Sequence, residues 1–310
     1  MPNVTLDLMK HKPATDTAKL DTEQRNSASR NLDQLSSLEI ASIMNTEDAK
    51  VARAVQKALP QIARAIDAIA DSLLRGGKLI YVGAGTSGRI GALDAVECPP
   101  TFNLAPDRIR FVMAGGEKAL GAAIEANEDS RTDGRDDLAR HKPGRRDVVV
   151  GIAASGRTPY TVAALEFARS KGSKTIAIAC NRGTPLQRAS EIGIVVETGP
   201  EVLTGSTRMK AGTAQKMVVN MLSTGAMARI GLVYENLMIN VHLKNSKLAE
   251  RGIRIVMQAA GLGYEASMKA LDRAGGSVQV AIVMSKTGLT RAQAEKRLRQ
   301  TLGVVGAALK

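Results

Sequence analysis

Five short, nearly continuous apolar runs set what this chain can become: Lys78–Val82, Ile109–Ala114, Asp147–Ala153, Lys174–Cys180 and Ile192–Glu197. None alternates apolar with polar residues, as a strand wetted on one face does. Continuous runs are the mark of parallel strands covered by helices on both faces. The segments between them are about 10–20 residues long, enough for right-handed crossovers. The expectation is an α/β fold built on a doubly wound, mainly parallel five-stranded sheet.

Helical spacing accounts for most of the remainder. Leu32, Leu35, Leu38, Ile40 and Ile43 recur loosely every three or four residues. Asn45-Thr46 is expected to cap a helix with Glu47-Asp48 in its first turn, running from Val51 to Leu73 until Gly76-Gly77 stops it, with Pro60 kinking or dividing it. After Pro200 the strands cease, and helices are expected over 207–230, 232–246, 249–260, 264–273, 277–285 and 290–308. The division that follows is a flexible tail (1–21), a sheet-bearing domain with N-terminal helices (22–245) and a small C-terminal helical subdomain (246–310).

Composition excludes several classes of function. Aromatic residues are 2% of the 310, too few for the stacking platforms of single-stranded nucleic-acid binders. Three histidines, His11, His141 and His242, lie too far apart in sequence to suggest a metal centre. Two cysteines imply no disulfide framework and a reducing, cytoplasmic setting. No apolar run reaches the roughly 18 residues of a membrane span, and the first 20 residues contain no apolar core of a secretory signal. A formal charge of +13 suits an anionic partner or a general solubility charge. Arg140 to Arg146, the densest basic stretch, is short and interrupted by Pro-Gly.

The loops after the strands carry the chemistry. Gly83-Ala84-Gly85-Thr86-Ser87-Gly88-Arg89 matches G-x-G-x-x-G between a strand and a helix. A dinucleotide site also needs an acid at the tip of the second strand, and Met113-Ala114-Gly115-Gly116 has none. The hydroxyls of Thr86 and Ser87 at a helix N-terminus instead suit a phosphate. Ser-Gly-Arg recurs at 155–157, again between strand and helix, and Thr158 adds a hydroxyl before Pro159. A third loop, Gly199 to Lys210, brings Ser206, Arg208 and Lys210 to the start of a long helix, where cations oppose the helix dipole and so point to an anionic ligand. Three acids stand out. Glu97 precedes Pro99-Pro100, which are expected to end its helix at once, and Glu125 and Glu128 share a helical face at i, i+3.

The strings GAGTSGRIGALDAVECPPTF, AGGEKALGAAIEANEDS, DVVVGIAASGRTPY and EVLTGSTRMKAGTAQKMVVNMLST resemble those of the N-acetylmuramic acid 6-phosphate etherases, and the resemblance covers Thr22 to Leu248 most strongly. It implies the sugar isomerase (SIS) sandwich, shared with a regulator of glucokinase and with phosphosugar isomerases. It further implies a lyase of cell-wall sugar recycling, which cleaves the D-lactyl ether of N-acetylmuramic acid 6-phosphate with water to N-acetylglucosamine 6-phosphate and D-lactate. The implied route is elimination and addition on the ring-opened sugar, with no metal and no redox cofactor. By motif match, Glu97 is the proton donor to departing lactate and Glu128 the other acid/base residue. Thr86, Ser87, Gly88, Ser155, Gly156, Arg157, Thr158, Ser206, Arg208 and Lys210 are the expected phosphosugar-binding set. The expected partners are a small phosphosugar and a second copy of the chain, with no nucleic acid and no membrane; the helix Met217–Met227 is a candidate contact or ordinary core. A sensor that has lost catalysis and a dehydrogenase are the alternatives. Retention of both glutamates disfavours the first, and the missing ribose acid the second.

Overall fold

The structure, a computed structural model, describes residues 20–122, 124, 127–241, 243 and 245–310. The expected tail, apart from its last two residues, lies outside the described residues, as do Glu125, His11 and His242. Three 3-10 turns, Asp21–Glu23, Ser27–Ser29 and Leu32–Gln34, lead into α1 (Ser37–Asp48), α2 (Val51–Gln56) and α3 (Leu59–Leu74). The α/β core follows as β1 (Leu79–Gly83), α4 (Gly85–Phe102), β2 (Ile109–Met113), α5 (Arg131–Ala139), β3 (Val148–Ile152), α6 (Pro159–Ser170), β4 (Lys174–Ala179), α7 (Pro185–Ala189) and β5 (Ile192–Val195). Then come α8 (Lys210–Arg229), α9 (Ser246–Ala260), α10 (Tyr264–Arg273), α11 (Val278–Thr287), α12 (Arg291–Gln300) and α13 (Val305–Ala308).

All strand pairs are parallel, in the order β2-β1-β3-β4-β5. Strand side chains alternate between two dry layers. Leu79, Tyr81, Val148, Val150 and Ile152 pack with α3, α4 and α8 on one face. Ile80, Val82, Val149 and Ala177 pack with α5, α6 and α7 on the other. Both faces are buried, which is why the strands read as unbroken apolar runs. From β1 the chain turns to β2 on one side and then returns to β3 on the other, so the crevice at the C-terminal ends of β1 and β3 is a topological switch point, where ligands of such sheets bind. No helix among the described residues is long and apolar enough to cross a membrane.

Several local expectations need correction. Asn45 and Thr46 lie inside α1; the cap is Ser36, whose hydroxyl and the Glu39 carboxylate form a capping box. Pro60 does divide two helices, sitting in the first turn of α3. Pro99 and Pro100 do not end α4. They lie in its last turns, where the Thr101 hydroxyl donates to the Glu97 carbonyl, and the helix stops at Asn103 in the left-handed region. Residues 232–241 are not helical. Leu237, Ile239, Val241 and Leu243 recur every second residue, the period of extended chain, and they pack on the C-terminal helices. Those helices enclose a core of their own, which takes in Ile239 and Val241 upstream of residue 246.

Candidate active site

Close backbone packing shapes the first loop. A β-carbon on Gly88 would come within 2.9 Å of the Gly83 carbonyl, and one on Gly83 within 2.8 Å of the Gly88 nitrogen. Only glycine at both positions lets α4 start hard against β1, the close helix–strand packing that glycine-rich phosphate-binding turns also need. Gly85 has φ +51. The N-cap of α4 is Ala84, which offers no side chain to its first N–H groups, and the Gly88 N–H is the first to bond back into the helix, to the Ala84 carbonyl. This end therefore presents N–H groups and the positive end of the dipole toward the crevice. Ser87 is half-buried and donates to the Gln215 side-chain oxygen of α8 at 2.9 Å. Thr86 faces the same helix, its methyl 3.6 Å from where a β-carbon on Gly212 would lie.

The second loop leaves β3 directly alongside, since Gly83 and Ile152 are register partners. Gly156 has φ +65, and a β-carbon there would overlap Thr184 at 2.5 Å. Ser155 Oγ accepts the Arg157 N–H at 3.2 Å, and Thr158 precedes α6 without spending its side chain on a cap. Thr86, Ser87, Ser155, Arg157 and Thr158 are all half-buried at this edge of the sheet.

The third loop differs. Ser206 is half-exposed and Arg208 exposed, but Lys210 is buried, and its ammonium donates to Glu47 of α1 at 2.6 Å. The α8 N-terminus is capped internally by Glu201, fully buried, whose carboxylate accepts from the N–H groups of Lys210 and Ala211 at 3.0 and 2.9 Å. The expected anionic ligand of Lys210 is thus a carboxylate of the protein itself. Burial raises Glu201 above the usual carboxylate range, against the pull of those two N–H groups. Burial also pushes Glu47 up, but hydrogen bonds from Lys210, Lys50 and Asn26 outweigh it and hold it at about 2.

Glu128 lies in the turn before α5, not on a helix; Ser130 caps α5 by accepting the Asp133 N–H. The Glu128 carbonyl accepts the Tyr160 N–H of α6. Its Oε1 lies 3.1 Å from where a β-carbon on Gly85 would be, so this carboxylate stands over the first loop. Glu97 is exposed, on the outer face of α4, in the half remote from that loop. A cavity of about 890 Å³ runs beside β2 between Val96 and Pro99 on one side and Gly116, Glu117 and Asn127 on the other, and Glu97 does not line it.

Sequence reasoning missed Glu47, Glu201, Gln215 and Thr184. Buried Asp94 was missed as well. It accepts from Tyr81, Asn220 and Ser223 beneath α4 and α8, and burial raises its pKa against those donors. A buried acid in a helical string was the available signal for Asp94. The others answer to groups far along the chain.

The glucokinase regulatory protein N-terminal SIS domain matches residues 61–169 and the SIS domain matches 141–225. A protein of Symbiobacterium thermophilum named N-acetylmuramic acid 6-phosphate etherase is 55% identical over 87% of this chain and 90% of its own length. One of Enterococcus faecalis, named N-acetylmuramic acid 6-phosphate etherase 1, is 49% identical over 94% and 97%. Among solved structures, a phosphoheptose isomerase from Francisella tularensis aligns at TM-score 0.48 and 20% identity, over 63% of this chain and all of that one.

Proposed function

This chain belongs to the N-acetylmuramic acid 6-phosphate etherase family, and on that premise we propose that it cleaves the D-lactyl ether of N-acetylmuramic acid 6-phosphate with water. The products are N-acetylglucosamine 6-phosphate and D-lactate, and the setting is sugar recycling from the cell wall in the cytoplasm, where the buried thiols Cys98 and Cys180 stay reduced. The 6-phosphate binds at the N-termini of α4 and α6, held by backbone N–H groups and by the hydroxyls of Thr86, Ser87, Ser155 and Thr158. Gly88 lets α4 start against β1 and Gly156 fits its loop against Thr184, Arg157 and Arg208 supply positive charge, and Ser206 closes the third side. Lys210 acts at one remove, by fixing the start of α8 through Glu47.

In the ring-opened sugar the C1 aldehyde acidifies the C2 proton. A carboxylate takes that proton, the C2–H electron pair forms the C2–C3 double bond, and lactate departs with the C3–O pair while Glu97 protonates it. Water then adds at C3, losing a proton to a carboxylate, and C2 regains one. Glu128 is the second acid/base group. The observation that carries this reading is the Glu128 carboxylate held over the loop at Gly85, beside the phosphate-binding N–H groups.

The test is incubation with N-acetylmuramic acid 6-phosphate in heavy-oxygen water and, separately, in deuterium oxide. Lactate should be released, with the oxygen label at C3 of the sugar and deuterium at C2. Label in the lactate hydroxyl and none in the sugar would refute the elimination route. Sugar-phosphate binding without lactate release would instead favour a sensor.

A further inference from the structure

We infer that Gln215 is a positioning residue for the phosphate: its side-chain amide turns over when phosphate binds, so that it donates to Ser87 instead of accepting from it, and the Ser87 O–H is released to donate to a phosphate oxygen. The inference rests on the etherase reading, with its 6-phosphate at this loop, and concerns how one of the phosphate contacts is made.

The hydrogen bond between the two side chains runs the wrong way for an anion. Ser87 is half-buried at the start of α4, and its hydroxyl donates to Gln215 Oε1 at 2.9 Å. A serine hydroxyl has a single proton. With that proton on Gln215, Ser87 offers the crevice only lone pairs, and a phosphate group brings acceptor oxygens and negative charge of its own. The arrangement that ties α4 to α8 is therefore not the one that holds phosphate. Gln215 has the means to reverse it. The residue is 1% exposed, and its Nε2 has no hydrogen-bond partner among the described residues. The last torsion of a glutamine side chain is roughly two-fold, and its oxygen and nitrogen are nearly the same size. A half-turn sets Nε2 where Oε1 was. Nε2 then donates to Ser87 Oγ, a buried donor gains an acceptor, and the Ser87 O–H turns to the phosphate. Oε1 is left unpaired instead, which along the main chain is the more readily tolerated of the two. Each orientation makes one bond to Ser87, so the charge-assisted bond from Ser87 to phosphate decides between them.

The rest of the seam between α4 and α8 shows why this position can turn. Further along, Asn220 and Ser223 of α8 both donate to Asp94 of α4. A carboxylate accepts, so the Asn220 amide has one usable orientation, nitrogen toward Asp94. Tyr81 gives the same carboxylate a third donor. Elsewhere Gln187 is pinned in the opposite sense, its Oε1 accepting the Gly183 N–H, which can only donate. Gln215 faces a hydroxyl, and a hydroxyl donates or accepts as its neighbours require. The seam is thus fixed at Asp94 and reversible at Ser87, the end that borders the first loop. The reversal needs no movement of either helix: one amide plane turns, and one hydroxyl proton changes direction.

The test follows the Gln215 side-chain amide by NMR in the full-length protein carrying nitrogen-15 glutamine, with its signals assigned by correlation to its own backbone. Titration with N-acetylglucosamine 6-phosphate should move one Nε2 proton downfield and slow its exchange with solvent, as the bond to Ser87 forms. In Ser87→Ala, saturated with the same ligand, the acceptor is gone and the amide signals should stay in place. Signals that do not move in wild type, or that move equally in Ser87→Ala, overturn the inference. Kinetics give a second reading. Gln215→Met keeps the side-chain length and removes both donor and acceptor. It should raise the Michaelis constant about two- to ten-fold, the worth of one neutral hydrogen bond. The loss should fall on that constant rather than on turnover, because the phosphate is remote from C2 and C3. In a Ser87→Ala background the same substitution should change the constant by less than about two-fold; equal losses in both backgrounds would give Gln215 a role apart from Ser87 and overturn the inference. A wild-type protein whose Gln215 signals respond to the sugar phosphate but which releases no lactate would overturn the etherase reading and leave the role of Gln215 standing. A protein that binds no sugar phosphate would overturn both.

Discussion

Replacing Glu47 with glutamine should cost the protein about 3 kcal/mol. The Lys210 ammonium is 2% exposed and donates to the Glu47 carboxylate at 2.6 Å, with Lys50 on the other oxygen. Glutamine keeps the shape and removes the charge, leaving a buried ammonium with neutral partners. The pair holds the Glu47 carboxyl at about 2 against an ordinary 4.5. At about 1.4 kcal/mol per pH unit, that span is worth about 3 kcal/mol, close to the roughly 3–5 kcal/mol lost when one partner of a buried pair is removed. The sign in acid follows from the lowered value. A carboxyl depressed in the folded state contributes fully above pH 4.5, and the contribution is lost as pH falls from 4.5 toward 2. Linkage puts it at about 3 kcal/mol at pH 7 and about 2 at pH 3.5. Urea unfolding of wild type and Glu47→Gln at both values measures the gap directly. The gap should narrow by about 1 kcal/mol in acid. Glu47→Gln/Lys210→Met should be more stable than Glu47→Gln alone, since the stranded charge is gone. A loss below about 1 kcal/mol at pH 7, the size of an exposed pair, or a gap independent of pH, would refute the reasoning.

Three further outcomes are expected. Gly85→Ala forces a side chain to φ +51 and sets a methyl 3.1 Å from Glu128 Oε1, so turnover should fall by at least ten-fold, whereas Gly116→Ala, at φ +66 with nothing within 4 Å, should lose roughly 1–3 kcal/mol of stability to backbone strain and keep its turnover; equal turnover in the two variants would count against the placement of Glu128. Ser155→Ala and Ser87→Ala should each raise the Michaelis constant about ten-fold or more, because a charge-assisted hydrogen bond is worth roughly 1.5–3 kcal/mol, and unchanged constants in both would remove the phosphate from these loops. Glu201→Ala strips two buried N–H groups of their acceptor and should cost at least about 2 kcal/mol in chemical denaturation.

The parts of this molecule legible in the sequence are those set by local pattern. The five apolar runs became five parallel strands, because two-sided burial leaves its signature in each run separately. The Ser-Gly-Arg loops of 87–89 and 155–157 both lie at the switch point, since strand order and crossover handedness leave few other places. What failed was pattern without its context. Lys210 at a helix start pointed to a ligand because Glu47, its partner, is 163 residues away. Glu201 caps α8 across a loop, beyond the three-residue window of capping rules. Pro99-Pro100 looked like a stop, but the Thr101 hydroxyl and Asn103 in the left-handed region let α4 run on to Phe102. Glu128 read as part of a helical face, but it lies in the turn before α5, and its carboxylate answers to Gly85, 43 residues back in the chain.

The N-terminal turns carry a consequence for synthesis. Thr22, Asn26 and Ser29 bond to Asn181, Pro200 and Val202, partners 159 to 174 residues downstream. At roughly 5–20 residues per second of translation, this segment waits about 10–35 s between emerging and finding its seat. An apolar strap would spend that time as an aggregation hazard. This one reaches its partners with two hydroxyls and an amide, groups that water satisfies equally well meanwhile, so the chain can hold its first turns in solution until the last strands and the loop beyond them are made.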